Sequence, residues 1–407
     1  MGPPVKERMP WYHSTDEIRD QLRGLSQSCE GLRLETRSKM NTADAAGQDV
    51  DIDVVRVGAG GGGRKAKAML VFNEHARELI TAESALGLLQ ALCGQGESAE
   101  LAKRTLQSVE FVIVPNANPL GRRQVESGAW CKRTNEDGVD LNRNWGDQHR
   151  DAVHDVPGDE MNPGPRGFSE PESQLLQALA QEERPDLFVS VHSGAYLLGT
   201  PYGYTRSKVP TGAAAMAELL GPISRDHCGG DCPYGDLAEL IHYDSMGCDI
   251  DWVMEHVGTP YVYTWEIYVG DAIRQGYIEQ ARERAGGPDA DAALVQRARQ
   301  ARRASGLRRA GAAARQPEDQ QGVQGCMDQF VPQSEAETRE VVRNWAGAFL
   351  EISQEVASRV LAAPAQSAAP NATSANATAR AESGLLAEGG AVFSPAAARR
   401  WALELGS

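Results

Sequence analysis

Apolar residues along this chain gather into short unbroken runs, separated by longer stretches in which they recur at helical spacing. Ala66–Phe72, Val109–Val114, Leu187–Val191 and Tyr261–Trp265 are each of strand length and read as strands buried on both faces. Val50–Val57 alternates apolar with polar positions, the pattern of a strand with one covered face. Thr81–Leu92 and Thr338–Val356 carry the helical period. Trp11–Leu25 reads as an amphipathic helix, with Ser14-Thr15-Asp16-Glu17 as its capping start. Short apolar strands alternating with helices predict an α/β fold, with a central mixed, mostly parallel sheet and helices on both faces. Sheets of this kind place their chemistry at strand ends.

The connecting segments set the organisation. Gly58-Ala59-Gly60-Gly61-Gly62-Gly63-Arg64-Lys65 has the glycines of a phosphate loop, but it lacks the Gly-Lys-Ser/Thr ending and joins strand to strand, so it is expected to be a hairpin loop. Residues 280–324 are rich in Ala, Arg, Gln and Glu and read as an exposed helical or disordered insertion. The expected layout is one folded domain over residues 1–355, followed by a low-complexity tail over 356–407. Two glycosylation triplets, Asn371-Ala372-Thr373 and Asn376-Ala377-Thr378, lie in that tail.

A net charge of −15 sets an unfavourable field for nucleic acid or an anionic membrane, so neither is expected as a partner. No run approaches the roughly 18 apolar residues of a membrane span. Met1–Glu17 is polar, without the apolar core of a signal peptide. Seven cysteines leave at least one thiol unpaired if the chain is oxidised. Cys228-Gly229-Gly230-Asp231-Cys232 has the look of half a metal knuckle, but no second pair lies at zinc-finger spacing, which leaves a disulfide or simple thiols as the plainer reading.

Three of the apolar runs lead into residues able to bind metal or move protons. His75-Ala76-Arg77-Glu78 follows the first, His192-Ser193 follows Leu187–Val191, and Glu266 closes Tyr261–Trp265. Hydrolytic zinc takes three His or carboxylate ligands and leaves a position for water, beside a carboxylate that accepts its proton. On this pattern His75, Glu78 and His192 are the candidate ligands of one zinc ion, and Glu266 is the candidate base. Each segment alone has an ordinary structural explanation; a His-x-x-Glu pair is expected by chance in a chain with eight histidines. Between the first two lies Gly138-Val139-Asp140-Leu141-Asn142-Arg143-Asn144-Trp145, preceded by Lys132-Arg133. An Asn beside an Arg suits a free carboxylate, because guanidinium offers a bidentate fork and the amide a further donor.

With these segments in order, the chain resembles the zinc metallocarboxypeptidases of the carboxypeptidase A type, the M14 peptidases. The resemblance runs over roughly residues 10–355. It rests on Trp11-Tyr12-His13, His75–Glu78, Gly138–Trp145, Ser169-Glu170-Pro171-Glu172, His192-Ser193, Pro201-Tyr202-Gly203-Tyr204, Asp251-Trp252 and Thr264-Trp265-Glu266. It implies zinc held by His75, Glu78 and His192, with Asp140 orienting a ligand imidazole. It also implies Glu266 as general base, Arg133 as oxyanion stabiliser, and Asn142 and Arg143 as the clamp on the substrate's C-terminal carboxylate. Arg77 and Ser193 are implied as further substrate contacts, Tyr243 as a mobile lid, and Ile250 as a lining of the terminal side-chain pocket. Lys132-Arg133-Thr134 departs from the local spacing of the digestive enzymes. Peptide or protein C-termini are the implied substrates of a monomeric enzyme.

Ile250 favours apolar terminal residues, whereas its neighbour Asp249, turned into the pocket, favours basic ones. Alternatives within the fold are a glutamate-trimming enzyme, which needs a basic pocket, and an amidohydrolase acting on small acylated amino acids. A non-catalytic peptide-binding relative is a third. Relatives of this kind are mostly secreted or vacuolar/lysosomal; the cysteines and triplets agree with that, and the polar start does not.

Overall fold

The computed structural model describes residues 1–41, 48–60, 63–146, 158–285 and 320–362. Its strands are β1 (Arg33–Met40), β2 (Asp49–Val57), β3 (Ala66–Phe72), β4 (Val109–Val114), β5 (Leu187–His192), β6 (Leu197–Thr200), β7 (Tyr234–Asp236) and β8 (Tyr261–Glu266). Among the described residues they form one sheet in the order β1-β2-β4-β3-β5-β8-β6-β7. The centre, β4-β3-β5-β8, is parallel, and antiparallel pairs join β1 to β2, β2 to β4 and β6 to β8.

The apolar runs resolve into two faces once paired. Ala68, Leu70 and Phe72 of β3, with Phe111 and Ile113 of β4, enter a core under the helices Thr15–Ser28, Leu79–Leu92, Ala213–Cys228 and Glu335–Ala362. Met69, Val71, Val112, Val114 and Phe188 enter a second core with Leu176 and Leu179 of the helix Pro171–Glu183. Alternation therefore persists inside runs that look uniform, because both faces are covered.

Several expectations change. The 58–65 segment joins β2 to β3, which are not partners, since β4 lies between them. The expected hairpin is thus corrected: β3 and β4, both apolar on both faces, pair in parallel at the centre and leave β2 one place out. Lys65 Nζ donates to the carbonyls of Gly58 and Leu106 at 2.8 and 2.7 Å, so it closes the loop on the protein's own backbone. Residues 61–62 lie outside the described residues. The first long helix starts at Thr15 instead of Trp11, behind a capping box between Ser14 and Glu17. The last helix runs on to Ala362 with Val356 and Ala357 buried, which carries the folded domain past the expected boundary at 355.

That last helix also packs on the helix that begins just after Glu78. It lies so close to the helix Leu79–Leu92 that a Cβ on Gly87 would collide with Val342 Cγ1. Of the 280–324 insertion, the ends continue the helices Asp271–Ala285 and Gln320–Phe330. Residues 286–319, and the tail triplets at Asn371 and Asn376, lie outside the described residues. Cys228 and Cys232 form a disulfide, as do Cys29 with Cys93 and Cys131 with Cys326; Cys248 is a buried free thiol. Among the described residues no helix is long and apolar enough to cross a membrane.

Candidate metal centre

His75 is delivered by a turn just beyond β3. Asn73 adopts φ 56°, a left-handed conformation that Asn tolerates better than most residues. Its Nδ2 donates to the His75 carbonyl at 2.8 Å, and its Oδ1 accepts from the fully buried Arg122 at 2.7 Å. The next helix begins at Leu79, which fixes Glu78 at its N-terminal boundary. His192 and Glu266 are the last residues of β5 and β8 and are direct register partners. Backbone pairing alone therefore sets the second histidine beside the expected base.

The three candidate ligands meet. His75 Nδ1 lies 2.8 Å from Glu78 Oε1, His192 Nδ1 lies 3.1 Å from Glu78 Oε2, and the two Nδ1 atoms are 3.0 Å apart. All three side chains are buried. Two imidazole nitrogens and a carboxylate at this spacing fit ligands about 2 Å from one shared zinc ion. His75 Nε2 faces Asp140 Oδ1 at 3.2 Å, which orients the ring as expected of Asp140. Asp140 in turn accepts from Arg133 Nε at 2.7 Å and from the Asn142 backbone at 3.0 Å.

The electrostatics follow from burial. Burial pushes Glu78 up, but the charges and hydrogen bonds of His75 and His192 outweigh it and leave the carboxyl well below its usual range. Burial pulls His192 down, and Glu78 more than reverses this, raising the imidazole to about 9. Glu266 is pushed up to about 7 by burial and then by the charge of Glu78. One of its oxygens accepts from the Ala195 backbone at 3.1 Å. Asp140 is held low against its burial by Arg133 and His75.

The other expected residues are brought close in different ways. Arg143 Nη2 donates to the Tyr243 phenol at 3.3 Å, and Tyr243 is 46% exposed. Asn142 has both ends of its amide engaged: Nδ2 stands 3.1 Å from His192 Nε2, and Oδ1 accepts from the Asp249 backbone at 2.9 Å. Arg77 donates to the Cys131 carbonyl and to Glu160, both at 2.9 Å, and stacks 4.1 Å above the Phe330 ring. The Ser193 hydroxyl is turned away from the centre and donates to the Phe330 carbonyl at 2.8 Å, while the Ser193 N–H supports Glu78 Oε2 at 3.1 Å. Ser193 therefore braces a ligand through its backbone, with its hydroxyl engaged by Phe330. Ile250 is fully buried in the apolar cluster that contains Leu240 and Val253.

Two residues outside the expected set share this ground. Glu74 and Asp249 are buried and come within ligand distance of His192, on the Nε2 side of its ring. Glu74 Oε1 accepts from Trp145 Nε1 at 2.8 Å. Burial first and Asp249 second push the Glu74 carboxyl up, and His192 pulls it back. The signal in the sequence is weak: Glu74 lies two residues past the apolar run Ala66–Phe72, whereas Glu266 directly closes its own.

The family model for zinc carboxypeptidases matches residues 35–285, a span that contains His75, Glu78, His192 and Glu266. Carboxypeptidase A4 of Mus musculus is 26% identical over 213 residues, covering 47% of this chain and 48% of that protein. Carboxypeptidase A1 of Bos taurus is 30% identical over 179 residues, covering 42% and 41%. The chain spans about half the length of the curated relatives it matches. In fold it is similar to the crystal structure of thrombin activatable fibrinolysis inhibitor, with TM-score 0.61 and 17% identity over 85% of this chain and 75% of that one. Carboxypeptidase A from Helicoverpa armigera gives TM-score 0.55 and 21% identity over 69% and 74%.

Proposed function

This chain belongs to the zinc carboxypeptidase family, and we propose that it is a metallocarboxypeptidase that hydrolyses the last peptide bond of peptides or proteins. The observation that carries this reading is the meeting of His75, Glu78 and His192 beside Glu266, with Asn142 against His192 and its neighbour Arg143 bonded to Tyr243. Bound there, zinc supplies Lewis acidity toward the scissile carbonyl and lowers the pKa of water.

The protein's own groups do the rest. Arg143 receives the substrate's terminal carboxylate through its guanidinium fork, and Tyr243 closes over it from an exposed loop. Asn142, with its Oδ1 held by the Asp249 N–H and its Nδ2 3.1 Å from His192 Nε2, sets that clamp beside a ligand and keeps a second amide N–H for the carboxylate. Glu266, register partner of His192, accepts a proton from the attacking water and passes it to the leaving amine. Arg133, fixed on Asp140, stabilises negative charge developing on the carbonyl oxygen. Arg77 contacts the chain upstream of the cleaved bond.

The preferred terminal residue is apolar. Asp249, the one acid that argued for a basic preference, is buried against His192 and Ser190, which leaves Ile250 in apolar surroundings. Three disulfides among the described residues favour an oxidising compartment, in agreement with a secreted or vacuolar/lysosomal enzyme.

The test is release of one residue from blocked peptides ending in Phe or Arg, with a chelator and zinc add-back. Chelator-sensitive release, faster from Phe, is expected. No release by zinc-loaded protein would overturn the activity, and faster release from Arg would overturn the preference.

A further inference from the structure

His75 and Glu78 share one turn, between the end of β3 and the helix that starts at Leu79, and a second helix, Pro119–Glu126, lies against that turn. Asn118 caps the second helix by accepting from the Gly121 N–H at 3.0 Å, and its Nδ2 donates to the Glu74 carbonyl at 3.0 Å. One turn further on, Arg122 reaches both ends of the ligand turn. Its Nη1 donates to Asn73 Oδ1 at 2.7 Å, ahead of His75, and faces the Leu79 carbonyl at 3.5 Å, just beyond Glu78. Its Nη2 donates to the His13 carbonyl at 2.8 Å. Its Nε donates at 3.1 Å to Glu126 Oε1, which also accepts from the Thr15 N–H and hydroxyl.

Arg122 is fully buried. A buried guanidinium is costly unless its donors are met, and among the described residues its ion pair is with Glu126 alone. The other donors go to neutral oxygens of the ligand turn and of the N-terminal segment. Ion pairing therefore does not by itself account for an arginine here, whereas a planar fork that reaches both segments does. Asn73 is the link between that fork and a ligand. Its backbone is left-handed, its Oδ1 is held by Arg122, and its Nδ2 donates to the His75 carbonyl at 2.8 Å. Arg122, Asn73 and the His75 backbone thus form one buried chain of hydrogen bonds.

We propose that Arg122 is a positioning residue for the metal centre: through Asn73 it fixes the backbone that carries His75, and it joins that backbone to the N-terminal segment at His13. It touches neither metal nor substrate and acts through the turn. Ligands carried on a turn are only as precise as the contacts that hold the turn, and here those contacts come from a separate helix. The inference rests on His75 and Glu78 being zinc ligands, as in the proposed function.

The experiment is zinc affinity by competition with a chromophoric chelator, for the full chain and for Arg122→Lys, Asn73→Gly, their double variant and Arg123→Ala, each folded by circular dichroism. Lys keeps the charge and loses the fork; Gly keeps the left-handed backbone accessible and loses both amide bonds. Each single variant should bind zinc about tenfold more weakly, the low end for losing an outer partner of a metal site. The double variant should be within about threefold of the weaker single, because both substitutions cut the same chain of bonds. Arg123→Ala breaks the pair with Asp16 on the same helix and reports a merely structural loss; its Kd should stay within about threefold. An unchanged Kd in Arg122→Lys, losses that multiply to about a hundredfold in the double variant, or an equal loss in Arg123→Ala overturns the proposal. Should Arg122→Lys not fold, Asn73→Gly decides alone, and an unchanged Kd there overturns it. Failure of the unsubstituted chain to bind zinc would instead overturn the proposed function, and the premise of this inference with it.

Discussion

His192 and Tyr243 serve one site from opposite kinds of structure. His192 ends a central strand, is 2% exposed, and is placed by register pairing with Glu266 and by contacts with Glu78, Ser190 and Asn142. Tyr243 stands on a loop, 46% exposed, with one 3.3 Å bond from Arg143. On the proposed function, the strand side holds its groups where the chemistry needs them before substrate arrives, and the loop side is free to adapt to what it would grip. Substitutions on the strand side should therefore act on turnover or metal, and those on the loop side on substrate capture.

The sharpest test is Glu266→Gln. The amide oxygen can keep the bond from the Ala195 N–H, so the fold and the ligand cluster stay intact. Turnover should fall by about 10²- to 10⁴-fold, the range of general base catalysis, with zinc content unchanged. Full activity in this variant would remove Glu266 from the chemistry and break the comparison at its centre.

Metal affinity probes the same side through pH. Because Glu78 raises His192 to about 9 against the pull of burial, the metal-free fold carries a proton there that the unfolded chain, with a value of about 6.5, has lost over that interval. Zinc must displace this proton. Apparent affinity should climb about tenfold per pH unit toward pH 9 and then level. The sign for stability is opposite: the protonated imidazole stabilises the metal-free protein fully below 6.5, and that contribution is lost as pH rises through about 9. Its melting temperature should fall across this window. An affinity flat between pH 7 and 9 would show that His192 carries no such proton.

On the clamp side, Arg143→Ala removes a charge-assisted fork of roughly 1.5–3 kcal/mol, or about 10- to 10²-fold in kcat/KM. The loss should appear mainly in KM, because the metal donors do not depend on this side chain. An equal fall in kcat with unchanged KM would mean that Arg143 acts on the transition state and belongs with the rigid side.

The same division governs how much is legible in the sequence. The four central strands stand out because burial on both faces leaves unbroken apolar runs, and His192 and Glu266 stand out as polar residues ending them. β1 does not, since Arg33–Met40 is polar and its side chains are exposed or half-buried. The β2–β3 connection misleads because adjacency in sequence suggests pairing, whereas β4, some forty residues later, takes the place between them. Glu74 is easily passed over beside His75, and the brace from Phe330 to Ser193 joins residues 137 apart. Contacts of that range leave no local pattern.

Tyr243→Phe is the smallest and most discriminating change. It removes one exposed, long hydrogen bond and keeps the ring, so the apolar part of any closure over substrate survives. The donor is a charged guanidinium, but the bond is long and exposed, so it contributes about 1.5 kcal/mol, the low end for such bonds, which sets the loss in kcat/KM at roughly tenfold. Measured on a dipeptide and on a longer peptide, the loss should be similar, because the phenol contacts Arg143, the residue proposed to hold the terminal carboxylate common to both. A loss of about 10³-fold in kcat would instead make the phenol a proton donor in the chemical step. The loop would then take part in catalysis as directly as the strands do, and adaptability would no longer distinguish the two sides.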